Sequence, residues 1–289
     1  MRGPAGKTPA RRIGGMTDRD GTGAATPSDG GTRRARRARR AASTPRRPRR
    51  RVSIVAVLGE LLITAGVLVL AFLGWQVWLG DIIVGGQLNS EAQQQSEEWN
   101  ADYIEVPPTE EGDPEVSVAP PVMSTVANAE RFAHLIIPRF GGDYYRPIAE
   151  GIGTRDVLNR GNIGHYPTTQ MPGALGNFAL ASHRSSGGGN FHDLHLLQLG
   201  DHIYVETPDG WYQYEFRNLE YVRPSGIGVL NPVPQADGVE ATERIITLTT
   251  CNPFFSTAER LIAYGVYQEF FPRAGGVPAE IASNVIGAG

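Results

Sequence analysis

Thr247-Leu248-Thr249-Thr250-Cys251-Asn252-Pro253 is the stretch that decides how this chain is read. Upstream, Ile245 and Ile246 extend it into a β-branched, apolar run that reads as a strand. Asn252-Pro253 ends the run, because a residue before proline is restricted and proline has no N–H to give a ladder. Cys251 is the only cysteine in 289 residues. It therefore stands at the C-terminal mouth of a strand, where a side chain leaves the core and meets solvent. Nine residues on, Arg260 opens a second apolar run, Leu261-Ile262-Ala263-Tyr264. Far upstream, His183 follows a third, Asn177-Phe178-Ala179-Leu180-Ala181. A thiol with a pKa of about 8.5 is mostly protonated at neutral pH and needs a base beside it. The tetrahedral intermediate it would form needs a cationic or N–H donor for its oxygen. Cys, His and Arg at strand ends are the parts of such an acyl-transfer site.

Charge divides the chain. The net charge of −3 hides a tail, residues 1–51, that carries 16 basic residues against three acids. With almost no large apolar side chains, that tail cannot bury a core and reads as disordered. Next comes Leu61 to Leu79, 19 residues without a formal charge, extended upstream by Ile54–Gly59 and interrupted only by Glu60. About 20 apolar residues cross a bilayer core, and Trp75 and Trp78 fall where interfacial aromatics belong. The segment is too long for the apolar part of a signal peptide and lacks small residues at a cut site. We read 52–80 as an uncleaved anchor. The Arg cluster from Arg33 to Arg51 puts the N-terminus in the cytoplasm and the rest outside. Beside a membrane, that cluster meets anionic lipid rather than nucleic acid. A lone thiol in an oxidising compartment cannot make an internal disulfide, which leaves an intermolecular bridge, an inert buried thiol or a nucleophile.

Residues 81–125 are polar, acidic and rich in proline, and read as an extended linker, with Asn89 to Asn100 able to continue as a juxtamembrane helix. The folded domain spans 126–274. Its strand candidates are Phe132–Pro138, Tyr145–Ala149, Phe178–Ser182, His202–Thr207, Trp211–Val222, Arg244–Thr250 and Leu261–Phe270. Val157–Arg160 and Phe191–Leu197 read as short helical turns. Short strands punctuated by turn pairs suggest an all-β, closed or nearly closed barrel. The small, Gly-rich tail 275–289 reads as loose. Of the six histidines, His134, His165 and His202 lie in or near strands and read as structural. His192 and His195 form an HxxH, but no matching ligand spacing accompanies them and no metal is expected.

Several motifs in order resemble the sortase family. Thr247-Leu248-Thr249-Thr250-Cys251 is similar to its TLxTC signature, and Arg260-Leu261-Ile262 to the segment holding its essential Arg. Gly161-Asn162-Ile163-Gly164-His165-Tyr166-Pro167, then Gly176 through Arg184, resembles the run into its catalytic His. Ser182 departs from the Gly common before that His. The chain looks most like class E sortases of high-GC Gram-positive bacteria, and its use of 26 Arg with one Lys suits such a genome. The resemblance implies an eight-stranded sortase barrel without cofactor or metal. It implies that Cys251 attacks the Thr–Gly carbonyl of a C-terminal Leu-Ala-x-Thr-Gly or Leu-Pro-x-Thr-Gly sorting signal on secreted proteins. His183 would act as acid and base, and Arg260 would hold the oxyanion. The acceptor would be the amine of a lipid-linked peptidoglycan precursor. Thr250 and Tyr166 are candidate substrate contacts. A pilin-polymerising sortase and a tethered barrel without catalysis are the alternative readings.

Overall fold

The computed structural model describes residues 53–75, 80–102, 119–185 and 188–286. The basic tail 1–51 and most of the Pro-rich stretch lie outside those residues.

α1, Ile54–Gly74, is apolar all round, with a mean hydropathy of 2.5 and no buried residue. At about 1.5 Å per residue it matches the hydrocarbon thickness of a bilayer. It is compatible with a single membrane span.

Eight strands close into a barrel. They are β1 (Arg131–Ile136), β2 (Tyr145–Glu150), β3 (Ile163–His165), β4 (Gly176–Ala181), β5 (His202–Thr207), β6 (Gly210–Val222), β7 (Arg244–Asn252) and β8 (Glu259–Pro272). Around the ring they run β1-β2-β3-β4-β7-β8-β6-β5, and β5 returns to β1. The β2–β3 and β4–β7 pairs are parallel and the rest antiparallel. β3 was not among the strands expected from sequence. Three residues with a central glycine are too few to show alternation. Gly164 has to be glycine, since a Cβ there would lie 2.4 Å from the Gly151 carbonyl oxygen.

Alternation along the strands sorts side chains to two faces. Phe178, Leu180, Ile246, Leu248, Leu261 and Ala263 point inward with Ile148, Ile163 and Tyr214 to form the main core. A second cluster lies on the outer wall, where Ile136, Tyr145, Tyr204 and Trp211 are covered by Ala92, Ile281 and Val285.

That outer cluster corrects two expectations. The helix allowed for Asn89 to Asn100 is longer than expected and is not juxtamembrane linker: α2 (Gly80–Asp102) takes in the residues before it and lies along β2. Its buried stripe is Gly85, Leu88, Ala92 and Ser96, one residue per turn. The stripe is short of apolar side chains because much of the seat is hydrogen-bonded: Asn89 Oδ1 accepts from the Tyr145 N–H at 3.1 Å, and Ser96 Oγ donates to Glu206 at 2.6 Å. Likewise, 275–286 is not loose. A 3-10 turn at Ala279–Ile281 leads into α3, Ala282–Ile286. Ile281 is fully buried, and Asn284 Nδ2 donates to the Gly141 carbonyl at 2.9 Å. Small residues that read as disorder here allow close packing.

Glu206 sits at the centre of the α2 seat, fully buried. It accepts from Ser96, from Tyr145, from Arg273 Nη2 at 2.8 Å and from His134 Nδ1 at 3.2 Å. Burial pushes its pKa up, but the bonds from His134, Ser96 and Tyr145 outweigh burial and hold it below the usual carboxylate value. Burial drives His134 the other way, below the ordinary histidine value, so the ring is neutral.

Candidate active site

Cys251 lies near the end of β7 and is partly exposed. Because Ile246 and Leu248 point into the core, Thr247, Thr249 and Cys251 point out. On β8 the residue directly opposite Cys251 is Arg260. Opposed residues of an antiparallel pair share a face, with Cβ atoms about 5 Å apart. On the other flank β4 runs parallel to β7, with Ala181 level with Thr249. The chain stays beside β7 past the end of β4: the Ser182 N–H donates to the Thr249 carbonyl at 3.2 Å, and Thr250 Oγ1 donates to the Ser182 carbonyl at 2.8 Å. One residue further, His183 comes level with Cys251, on the outward face that Ala181 also occupies. Cys251 thus has Arg260 opposite it on β8 and the segment carrying His183 on its other flank.

His183 is half-buried, and that burial lowers its pKa below the ordinary histidine value. At neutral pH the ring is uncharged and able to take a proton. Its Nε2 stands 2.9 Å from Asn159 Oδ1. With an oxygen as acceptor, Nε2 carries the hydrogen and Nδ1 keeps the lone pair. Arg260 directs Nη1 to the carbonyls of Thr257 and Glu259, at 3.1 and 3.0 Å, which folds the guanidinium back over its own hairpin.

Ile262 and Tyr264 on β8 pack with Val229 from the 3-10 turn Ile227–Leu230 of the β6–β7 connection. Tyr166, just past β3, is half-buried, and its hydroxyl lies 3.0 Å from Thr249 Oγ1. Thr250 is placed differently from the expectation. Its neighbour Cys251 faces out, so Thr250 faces in, is 3% exposed and spends its hydroxyl on Ser182. That bond ties the segment carrying His183 to β7.

Two neighbours of the site carried no sequence signal. Asn159 sits in a 3-10 turn, Leu158–Arg160, 24 residues before the histidine that it touches. Arg184, buried at 7% exposure, reaches Asn252 Oδ1 and stacks 4.1 Å over the Phe254 ring. It clamps the turn that follows Cys251. His192 bonds Asp193 at 2.7 Å, His165 bonds Glu150 at 2.7 Å, and His202 bonds Glu280 at 2.7 Å. Among the described residues no group of three His, Cys, Asp or Glu side chains is placed to hold a metal.

Residues 135–268 match the family model described as the Sortase domain. The chain is 37% identical over 232 residues to Sortase SrtE1 of Streptomyces coelicolor, covering 78% of this chain and 60% of that one. It therefore spans about three fifths of the length of that relative. It is 29% identical to Sortase SrtE2 of the same organism, over 73% of this chain and 81% of that one. Among solved structures, the SrtA sortase from Actinomyces oris superposes with a TM-score of 0.55 at 38% identity, over 57% of this chain and 94% of that chain. Sortase E1 from Streptomyces coelicolor, solved with a tripeptide in its active site, superposes with a TM-score of 0.50 at 41% identity, over 54% and 99%.

Proposed function

The chain belongs to the sortase family of cysteine transpeptidases, and from that premise we propose that Cys251, His183 and Arg260 are its working groups. In this reading the substrate is the C-terminal sorting signal of a secreted protein, of the Leu-Ala-x-Thr-Gly or Leu-Pro-x-Thr-Gly type. The signal lies across the outer wall, between the β6–β7 connection and Tyr166. His183 takes the thiol proton, and the Cys251 sulfur attacks the carbonyl carbon of the Thr–Gly bond. Arg260 neutralises the oxyanion. The C–N bond breaks as His183 returns the proton to the leaving Gly amine, leaving a thioacyl enzyme. An amine from a lipid-linked peptidoglycan precursor then attacks the thioester. His183 removes its proton, and the sulfur departs with the acyl chain joined to the new amine.

Localisation follows the same reading. α1 crosses the membrane once, the Arg-rich tail 1–51 stays in the cytoplasm, and residues 126–274 work outside as the catalytic domain. The observation that carries the proposal is the register: Cys251 opposite Arg260, with the strand of His183 tied alongside. The test incubates the full chain in detergent with quenched signal peptides differing by Ala or Pro at the second position, with and without an amine. Cys251→Ala abolishes cleavage, and His183→Gln and Arg260→Ala each lower kcat/KM by about two orders of magnitude or more. Cleavage that persists in Cys251→Ala removes the proposal outright.

A further inference from the structure

Residues 188–191, in the loop that follows His183, are held from two sides. On the barrel side, the Phe191 N–H donates to the carbonyl of His183 itself at 3.2 Å. Asn190, nearly fully buried, donates from Nδ2 to the Gly161 carbonyl at 2.8 Å and to Ser182 Oγ at 3.1 Å. The Asn190 carbonyl accepts from the Tyr144 hydroxyl at 2.8 Å. On the opposite side stands the N-terminal half of α2. A Cβ built on Gly188 would lie 3.0 Å from Leu88 Cδ1 and 3.4 Å from Val84 Cγ1. Gly188 has φ +87 and Gly189 φ +56, left-handed backbone that favours glycine, and Gly188 lies against two side chains one helical turn apart.

The helix cannot yield there without leaving its seat. Leu88 is 3% exposed, and the next residue, Asn89, is bound to the Tyr145 N–H and to Arg146. A glycine pair in a loop has the most conformational freedom to lose of any dipeptide. The bonds of Ser182 to β7 hold the near end of the loop, and contacts at Gly188 add a hold at its far end.

We propose that α2 is a positioning element for the reaction, with Val84 and Leu88 bracing Gly188 so that the loop after His183 keeps the imidazole beside the Cys251 sulfur. This rests on the reading of His183 as the acid and base. It adds that the segment joining the candidate membrane helix to the barrel takes part in assembling the site. Misplacing a catalytic group by about 1 Å can cost up to a hundredfold in rate. Loosening one wall of the loop is the milder case.

The test uses the full chain in detergent micelles. Val84→Ala with Leu88→Ala lowers kcat about five-fold or more and leaves KM for the signal peptide within two-fold. It also speeds amide exchange in peptides covering residues 188–194 about ten-fold, whereas Leu88→Met restores both. Ser96→Ala, which loosens the same helix two turns away from Gly188, lowers Tm while leaving kcat within two-fold. Wild-type exchange at 188–194 in the double variant overturns the proposal, whatever the activity. So does a kcat that falls equally in Ser96→Ala and tracks Tm, since that is what a merely structural helix gives. Retention of activity by His183→Gln would instead sink the assignment of His183, and the exchange result still reports on the brace.

Discussion

Replacing Asn159 by aspartate puts a carboxylate where an amide oxygen now sits, 2.9 Å from His183 Nε2. The centres of the two charges would be about 4 Å apart, which is worth about 1 kcal/mol in water and about 4 kcal/mol at an effective dielectric constant near 20. Asn159 is exposed, so the lower figure applies, equivalent to a rise of about 0.7 units in the His183 pKa. The sign follows from the proposed chemistry. His183 must be neutral to take the thiol proton, and raising its pKa keeps it charged up to a higher pH. The acidic limb of kcat/KM therefore moves to higher pH by about 0.7 units, and activity at pH 6 falls against wild type while the plateau above pH 8 holds. Asn159→Ala removes an exposed neutral hydrogen bond instead, a loss of about 0.5–1.5 kcal/mol or roughly two- to twelve-fold in kcat/KM, with little movement of the limb. The assay is the pH profile of quenched-peptide cleavage from pH 5 to 9. In 1 M salt the displacement shrinks, because the pair is solvent-screened. An acidic limb that stays put in Asn159→Asp, or moves to lower pH, refutes the role of a neutral His183 held by Asn159.

Stability should respond to pH through His134. Its folded pKa lies below the unfolded value, so the unfolded chain takes up the proton first. Stability is intact above about pH 6.5 and falls as pH drops below it, which urea unfolding at pH 8, 7, 6 and 5 would read; a flat profile in that window contradicts the buried neutral ring. Arg273→Met leaves Glu206 buried without its cation and costs about 3–5 kcal/mol. Thermal unfolding shows a drop of about 10 °C or more, and Arg273→Met with Glu206→Gln recovers part of it. Thr250→Val takes the hydroxyl from the Ser182 carbonyl and lowers kcat several-fold with KM nearly unchanged, while Thr250→Ser, which keeps the donor, stays near wild type. A KM effect as large as the kcat effect would return Thr250 to the substrate contacts.

The parts of the fold that were legible in the sequence are those with a strong period. β7 and β8 announce themselves by β-branched and apolar runs, and their ends bring out Cys251 and Arg260. His183 was legible for the same reason, as the residue after the buried run of β4. What stayed hidden depends on pairing that no local pattern encodes. β3 exists because Gly164 fits under the Gly151 carbonyl. That α2 packs on the barrel was hidden because Asn89, Gln93 and Ser96 seat it by hydrogen bonds rather than by an apolar stripe. The segment after 274 looked loose because its small residues were read as freedom instead of fit. Within the site, strand-end chemistry marked three side chains. Which face Thr250 takes follows from the alternation already used for Cys251, since neighbours in a strand point to opposite sides.

The ring of strands has one more consequence. A peptide meeting an open sheet can be held along a bare strand by its backbone, with little regard to its side chains. Here β1 has partners on both sides and so does every other strand, so the wall around the sulfur offers no such berth. A visiting chain would have to be gripped by side chains at the wall's surface, such as partly exposed Tyr166 and Arg260. In the proposed reaction, selection among peptides would therefore be lodged in a few side chains, which can be exchanged without rebuilding the cylinder that carries them.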